Sequence, residues 1–389
     1  MIDFSLDGKQ KEIQEKYRDF TARWIIPNSK KYDELAVFPW DVVKAAHDEG
    51  IMNGPVPTQF GGNGYSIMDA ALASEEMGAG CVGIGICIDA STLAITPLLL
   101  AGDENQHAKF FGRLKEDKGV AAYCLTEPNA GSDVQGIKST AILKGDKYIL
   151  NGHKRFITNA EVASFFTVFA QTDPSRGSRS LTAIIVPSEL HGIEIKPRMQ
   201  KMGQKASVQN EIIFHDVEVP VENRLGQEGH GFLIAMKTFD RTRTGVAALS
   251  VGAARSAYEI SKRWTANRIQ FGKPIAANQA IGFILADMAV SIEAARMLTW
   301  RAAWAYDTKQ KDAPVLSAMC KLLASDTAMK VTTDAVQIMG GEGYSTDYPV
   351  EKMMRDVKLC QIYEGTNQVQ RMVISKSILK DEVKKEQSS

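Results

Sequence analysis

The 389-residue sequence has no excess charge of either sign: 46 Lys plus Arg stand against 46 Asp plus Glu. A balanced chain carries no global field to draw it to a phosphate backbone or an anionic lipid surface, so neither nucleic acid nor membrane is an expected partner. Cysteine is sparse. The five, Cys81, Cys87, Cys124, Cys320 and Cys360, are odd in number and scattered, which suits reduced thiols and not a disulfide framework. The six histidines show no HExxH or paired spacing, so no metal site is expected. Uninterrupted apolar runs of membrane-spanning length are missing; residues 84–100 come nearest and are broken by Asp89 and Pro97. The first ten residues, MIDFSLDGKQ, are polar and lack the apolar core of a secretory signal. Cytoplasmic location is the expectation. No internal repeat or low-complexity tract stands out.

What is present is an ordinary globular balance, 44% apolar and 24% charged, on a chain long enough for two or three domains. From Leu6 to about Ala121 the pattern is helical, with Pro39 placed where a helix can begin and residues 68–77 and 104–114 as helix candidates. The texture then changes to strands. Ala141-Ile142-Leu143 and Tyr148-Ile149-Leu150 flank Gly145-Asp146 as a hairpin, and residues 165–171, 181–186, 192–196 and 211–219 follow as short β-rich runs. Helices return from Phe232. Ile281, Leu285, Met288, Ile292 and Ala295 step by four and three along one face. Apolar residues on the other faces suit a helix buried in a bundle or at a subunit contact. The expected organisation is α, β, α, with domains at 1–121, 122–230 and 231–389.

Several stretches hold residues suited to chemistry. In Gln361-Ile362-Tyr363-Glu364-Gly365-Thr366-Asn367-Gln368-Val369-Gln370-Arg371 one carboxylate, Glu364, stands beside a glycine. Read alone, Glu364 is either a solvated loop residue or a carboxylate reaching into a pocket, where burial raises its pKa towards that of a useful base. Asp89 lies inside an apolar helix, either bonded locally or tuning the choice of substrate at a cavity wall. Residues 123–133, YCLTEPNAGSD, form a turn rich in donors, suited to a polar ring edge or a phosphate, or simply a polar loop. In Lys154-Arg155-Phe156-Ile157-Thr158-Asn159, strand alternation puts Phe156 and Thr158 on one face, where a flat ligand could meet ring and hydroxyl together. A plain half-buried strand would look the same. Phe239-Asp240-Arg241-Thr242-Arg243 reads as the start of a helix with alternating charge.

Taken in order, these segments resemble the acyl-CoA dehydrogenase family, and the resemblance covers nearly the whole chain. It implies an N-terminal helical domain, a middle β-barrel or sandwich domain and a C-terminal four-helix bundle (an α+β fold). It also implies FAD as cofactor. By position, Tyr123, Leu125, Thr126, Gly131, Ser132, Phe156 and Thr158 would contact FAD, with Ser132 also touching the thioester. Phe156 stands where many members have tryptophan, and Asn129 where glycine is common. Arg268, Gln270, Phe271 and Gln279 in the RxxFGKxxxxxQ segment, with Gln337, Gly340 and Gly341, would reach the FAD of a neighbouring subunit in a homotetramer, a dimer of dimers. Thr366 and Gln368 complete the cofactor set. Asp240 and Arg243 become candidates for CoA, with Tyr363 and Gly365 shaping the slot around Glu364 and Asp89 at the floor of the acyl cavity. Some members carry their catalytic glutamate on the helix of residue 242; Thr242 stands there, so Glu364 is the expected base.

The implied activity is α,β-dehydrogenation of a short, medium, branched or alicyclic acyl-CoA, with an electron-transfer flavoprotein as acceptor. Residues 78–108 contain no Arg or Lys, so a dicarboxylic acyl group lacks an obvious counter-charge there. An oxidase of the same fold shares the motifs. An idle, flavin-holding, DNA-associated paralogue would require a basic surface or an extra domain.

Overall fold

The computed structural model describes residues 5–386. Its first block is helical: α1 (Gly8–Phe20), α2 (Ile26–Leu35), α3 (Trp40–Asp48), α4 (Ile67–Gly80), α5 (Val82–Ala101) and α6 (Glu104–Glu116). Three of these helices begin on reciprocal side-chain caps, Asp7 with Gln10, Ser66 with Asp69 and Asp103 with Gln106. Each cap satisfies N–H groups that the first turn leaves without partners, so these starts are written locally. By length and composition α5 is apolar enough to cross a membrane, but 67% of that stretch is buried by other elements of the same chain, as in a core helix.

The middle block contains β1 (Val120–Cys124), β2 (Thr140–Lys144), β3 (Lys147–Thr158), β4 (Ala163–Gln171), β5 (Leu181–Pro187), β6 (Ile193–Ile195), β7 (Gln209–Pro220) and β8 (Arg224–Leu225). β1 begins at Val120, so the helical reading to about Ala121 ran slightly too far. Val120, Ala121, Ala122 and Cys124 are all fully buried, and a strand covered on both faces shows no alternation to distinguish it from a helix end. The β2–β3 hairpin closes through Gly145-Asp146, with Gly145 in the left-handed region at φ +64°. One lobe of the sheet runs β6-β7-β3-β2 and the other holds β4-β5-β8, with β1 parallel to β4; Thr140 opposite Gln171 joins them. Tyr148, Leu150, Phe166, Val168, Ile184 and Phe214 fill the space within.

The third block is α7 (Gly231–Asn267), a small hairpin arm of β9 (Ile269–Gln270) and β10 (Lys273–Pro274), then α8 (Gln279–Asp307), α9 (Ala313–Met339), α10 (Gly341–Tyr344), α11 (Val350–Lys358) and α12 (Asn367–Glu386). Residues 239–243 do not start a helix; they lie in α7, whose first turn is at Gly231. The polar motif was mistaken for a helix end, but Thr242 and Arg243 face the site described below. α4 crosses α7 at backbone contact. A Cβ on Gly252 would lie 2.0 Å from the Glu75 carbonyl oxygen, and one on Gly78 would lie 2.3 Å from that of Leu249. The buried carboxylates Glu75 and Glu76 beside this crossing bind Arg296 of α8, Arg255 of α7 and Arg18 of α1, which ties the first block to the third.

Candidate active site

Between α11 and α12 the chain turns through two consecutive left-handed residues, Glu364 at φ +52° and Gly365 at φ +91°. Glycine adopts this conformation freely; glutamate does so only where its surroundings hold it. Here Arg243 Nε donates to the Glu364 carbonyl at 3.1 Å, and Gln370 Nε2 donates to the carbonyls of Glu364 at 3.3 Å and Gly365 at 2.8 Å. Lys321 Nζ, from α9, donates to the Gly365 carbonyl at 2.9 Å and to Asn367 Oδ1 at 3.0 Å. A Cβ on residue 365 would lie 2.6 Å from Gln370 Nε2. The glycine therefore serves both conformation and close approach.

The Glu364 side chain meets α7, where Thr242 Oγ1 donates to Oε2 at 2.6 Å. Burial pushes the Glu364 carboxyl above the usual carboxylate range, against the Thr242 hydrogen bond and the charges of Arg243 and Lys321. That is the direction a general base needs. Burial likewise pulls the Lys321 ammonium down to about 8.

Two more groups feel this carboxylate. The Tyr123 ring packs against Phe169 and Phe239, and its buried hydroxyl has no partner; burial, then the Glu364 charge, raises the phenol well above its ordinary value. Asp89 takes a hydrogen bond from Ser74 Oγ of α4 at 2.8 Å, and Asp89 Oδ2 faces Gly245 of α7. Burial pushes the Asp89 carboxyl up to about 7, with the Ser74 bond opposing and the Glu364 charge assisting. Asp89, Tyr123, Thr242, Arg243 and Glu364 thus gather where α5, β1, α7 and the turn at Glu364 meet. Tyr363 lies alongside, its hydroxyl 3.3 Å from Cys360 Sγ.

The turn after β1 is fixed by a buried ion pair. Lys154 has no exposed surface; its Nζ donates to Glu127 Oε1 at 2.8 Å and to the carbonyls of Leu125 at 3.1 Å and Phe169 at 2.7 Å. Glu127 also accepts from the amides of Lys138 and Ser139, and Arg155 N donates to the Thr126 carbonyl at 2.9 Å. The turn and the end of β3 are therefore one rigid unit. Within it β3 bulges, with Phe156 at φ +59° and largely exposed beside buried Ile157. The bulge breaks the register between Lys154 and Ile157, yet Phe156 and Thr158 both stay out of the core that Ile157 enters. Gly131 and Ser132 are exposed, and a Cβ on Gly131 would meet nothing within 4 Å. The Leu125 side chain is buried in the core.

The remaining expected cofactor residues lie apart. Arg268, just past the end of α7, stacks over Trp264 of that helix, Gln270 bonds the adjacent Ile269 carbonyl, and Phe271 at the arm's tip is 96% exposed. Gln279, Gln337, Gly340 and Gly341 are exposed, and Gly340 is left-handed at φ +63°. No described hydrogen bond or ion pair joins this set to Glu364 or to β3. Thr366 and Gln368 sit at the start of α12, the Thr366 hydroxyl accepting from Val369 N. Arg243, expected as a contact for CoA, is buried and spends Nε on the Glu364 carbonyl and Nη1 on Asp240 at 3.1 Å; here it clamps the turn at Glu364. Sequence reasoning missed Lys321, Gln370 and the Glu127–Lys154 pair. Glu127 and Lys154 both stood in the quoted motifs, but nothing local announces a contact between residues 27 apart. Among the described residues no three His, Cys, Asp or Glu side chains gather as a metal site.

The chain is similar to known proteins along nearly its whole length. Residues 7–117, 122–217 and 229–379 match the N-terminal, middle and C-terminal domains of acyl-CoA dehydrogenase. The cyclohex-1-ene-1-carbonyl-CoA dehydrogenase of Syntrophus aciditrophicus is 41% identical over 375 residues, 96% of this chain and 91% of that protein. The solved butyryl-CoA dehydrogenase of Megasphaera elsdenii superposes with a TM-score of 0.94 at 40% identity, covering 97% of this chain and all of that one. A chain from a structure described as the electron transferring flavoprotein of Acidaminococcus fermentans, concerned with flavin-based electron bifurcation, gives a TM-score of 0.95 at 41% identity, covering 97% of this chain and 100% of its own.

Proposed function

The chain belongs to the acyl-CoA dehydrogenase family, and from that premise we propose that it is an FAD-dependent oxidoreductase that removes two hydrogens from the α and β carbons of an acyl-CoA thioester, with Glu364 as the base. The observation carrying the proposal is Glu364 itself: a half-buried carboxylate held in a left-handed conformation, raised in pKa and bonded through Oε2 to Thr242.

The residues fit the cofactor. Tyr123 offers a buried hydroxyl without a partner, the β3 bulge presents Phe156, and Thr158 accepts from Gln209 at 3.0 Å while its own proton is unspent. Open space over Gly131 leaves room for close approach of a ligand to the backbone. Bound FAD supplies the hydride acceptor.

The chain's own part is positional and electrostatic. Glu364 Oε accepts the α-proton, and the enolate charge that develops on the thioester oxygen is met by the Glu364 amide, whose orientation follows from the carbonyl clamps of Arg243 and Gln370. Partial burial strips the carboxylate of part of its hydration and sustains its basicity.

The acyl group we propose is compact, short or alicyclic. A carboxyl group at Asp89 disfavours a long apolar tail, and proteins named for butyryl-CoA and for a cyclohexene-carbonyl-CoA match 97% and 96% of this chain. We further propose a homotetramer in the cytoplasm, in which the exposed arm and the Gln337–Gly341 turn complete a neighbour's cofactor site, and an electron-transfer flavoprotein as acceptor. The test is anaerobic titration of the flavin-loaded protein with straight, branched, dicarboxylic and cyclic acyl-CoA thioesters. Bleaching by compact acyl groups, abolished in Glu364→Gln, is expected. A wild type that holds flavin but bleaches with no thioester would refute the proposal.

A further inference from the structure

Only one hydrogen-bond donor among the described residues reaches the Glu364 carboxylate: the hydroxyl of Thr242. That hydroxyl has two acceptors, Glu364 Oε2 at 2.6 Å and the Thr238 carbonyl, one turn back along α7, at 3.1 Å. A hydroxyl carries one proton and two lone pairs, so it cannot donate to both. We infer that Thr242 is a positioning residue whose hydroxyl rotates between these two acceptors, holding Glu364 in one place in both of its protonation states and setting its proton affinity. The inference rests on Glu364 being the base.

With Glu364 ionised, the Thr242 proton points at Oε2 in a short, charge-assisted bond. Once Glu364 has taken a proton, its own O–H donates to Thr242 Oγ1, and the Thr242 proton turns to the Thr238 carbonyl. One bond rotates, no heavy atom moves, and the hydrogen bond between Thr242 and Glu364 Oε2 persists, so neither state bears the cost of losing it. Other charged or titratable groups surround the site: Asp89 on α5, Tyr123 on β1, Asp240 and Arg243 on α7, Lys321 on α9 and Tyr363 on the segment itself. They act on the Glu364 charge through space and change little between the two states of the hydroxyl. Thr242 alone couples position to protonation.

The test compares wild type, Thr242→Val (same shape, no hydroxyl) and Thr242→Ser (hydroxyl kept) as flavin-loaded proteins. Infrared difference spectra across pH follow the protonated carboxyl band of residue 364, assigned by its loss in Glu364→Gln and separated from Asp89 with Asp89→Asn. In Thr242→Val the midpoint is expected to rise by about one pH unit or more, a tenfold change in proton affinity, because a bond to the charged form is lost. Thr242→Ser returns it. The acid limb of the flavin-reduction rate moves with the midpoint while the KM for thioester holds. A midpoint that stays in place in Thr242→Val, or that Thr242→Ser fails to restore, overturns the inference. Should wild type reduce no flavin with any thioester, the proposed function falls, and the infrared midpoint still decides the role of Thr242.

Discussion

Asp89 shows how much one half-buried carboxyl can do to a protein's pH response. Its pKa rises from 3.8 to about 7 on folding, chiefly through burial. A group raised in this way stabilises the fold fully below its unfolded value, and the contribution is lost as pH climbs through the folded value. Asn keeps the Ser74 hydrogen bond and never ionises. Wild type should therefore lose about 2 kcal/mol more than Asp89→Asn between roughly pH 5 and pH 8 in urea melts; parallel curves would mean that Asp89 stays ionised throughout. The Glu127–Lys154 pair poses the opposite case. Removing one member leaves the other charge buried without its partner, so Lys154→Met should cost about 3–5 kcal/mol and release flavin, because the turn holding Tyr123 to Ser132 loses its anchor. The double variant Glu127→Gln/Lys154→Met should recover part of that loss. If the double falls as far as the single, the anchor works through shape and not charge.

At the scale of elements, the α4–α7 crossing is the most constrained contact in the frame that carries Thr242 and Arg243. A methyl on residue 252 has to displace the Glu75 carbonyl. Gly252→Ala should therefore destabilise the protein by about 1–3 kcal/mol, and by more if the helices cannot part. Gly112 in α6, where an added Cβ meets nothing within 4 Å, is the control; there Ala should stabilise by about 0.4–1 kcal/mol, by limiting the unfolded chain. Equal melting shifts at the two sites would refute the close-contact argument. These elements also mark what the sequence could and could not reveal. The hairpin at Gly145-Asp146 was legible because alternation and a turn dipeptide are local signals. The turn at Glu364-Gly365 was legible because the carboxylate and the glycine stand side by side in one contiguous segment. β1 was misplaced by two residues because a strand buried on both faces has no period. Lys321, Gln370 and the Thr242 bond were not legible, since each depends on contacts across distant parts of the chain that only the packed helices create.

For the whole molecule, the question is what covers the arm. Phe271 at its tip is 96% exposed and left-handed at φ +52°, Tyr344 is 84% exposed, and Phe283 and Val290 stand out from α8. Large apolar side chains displayed together on one helical block are the mark of a surface that another chain buries. The proposed assembly gives that surface an occupant and sets Arg268, Gln270 and the Gln337–Gly341 turn against a neighbour's cofactor. Phe271→Asp tests both at once. Because the ring touches almost nothing in its own chain, the substitution should leave helix content and the packing around Glu364 intact, while a charge buried between subunits without a partner costs several kcal/mol of association. Sedimentation velocity should show the assembly breaking into smaller species as the protein is diluted, with free flavin appearing in step. If the assembly breaks but flavin stays bound, the arm holds the subunits together without reaching the neighbour's cofactor. If the assembly persists and flavin stays, the arm serves neither role, and the four-subunit arrangement has to be built on another face.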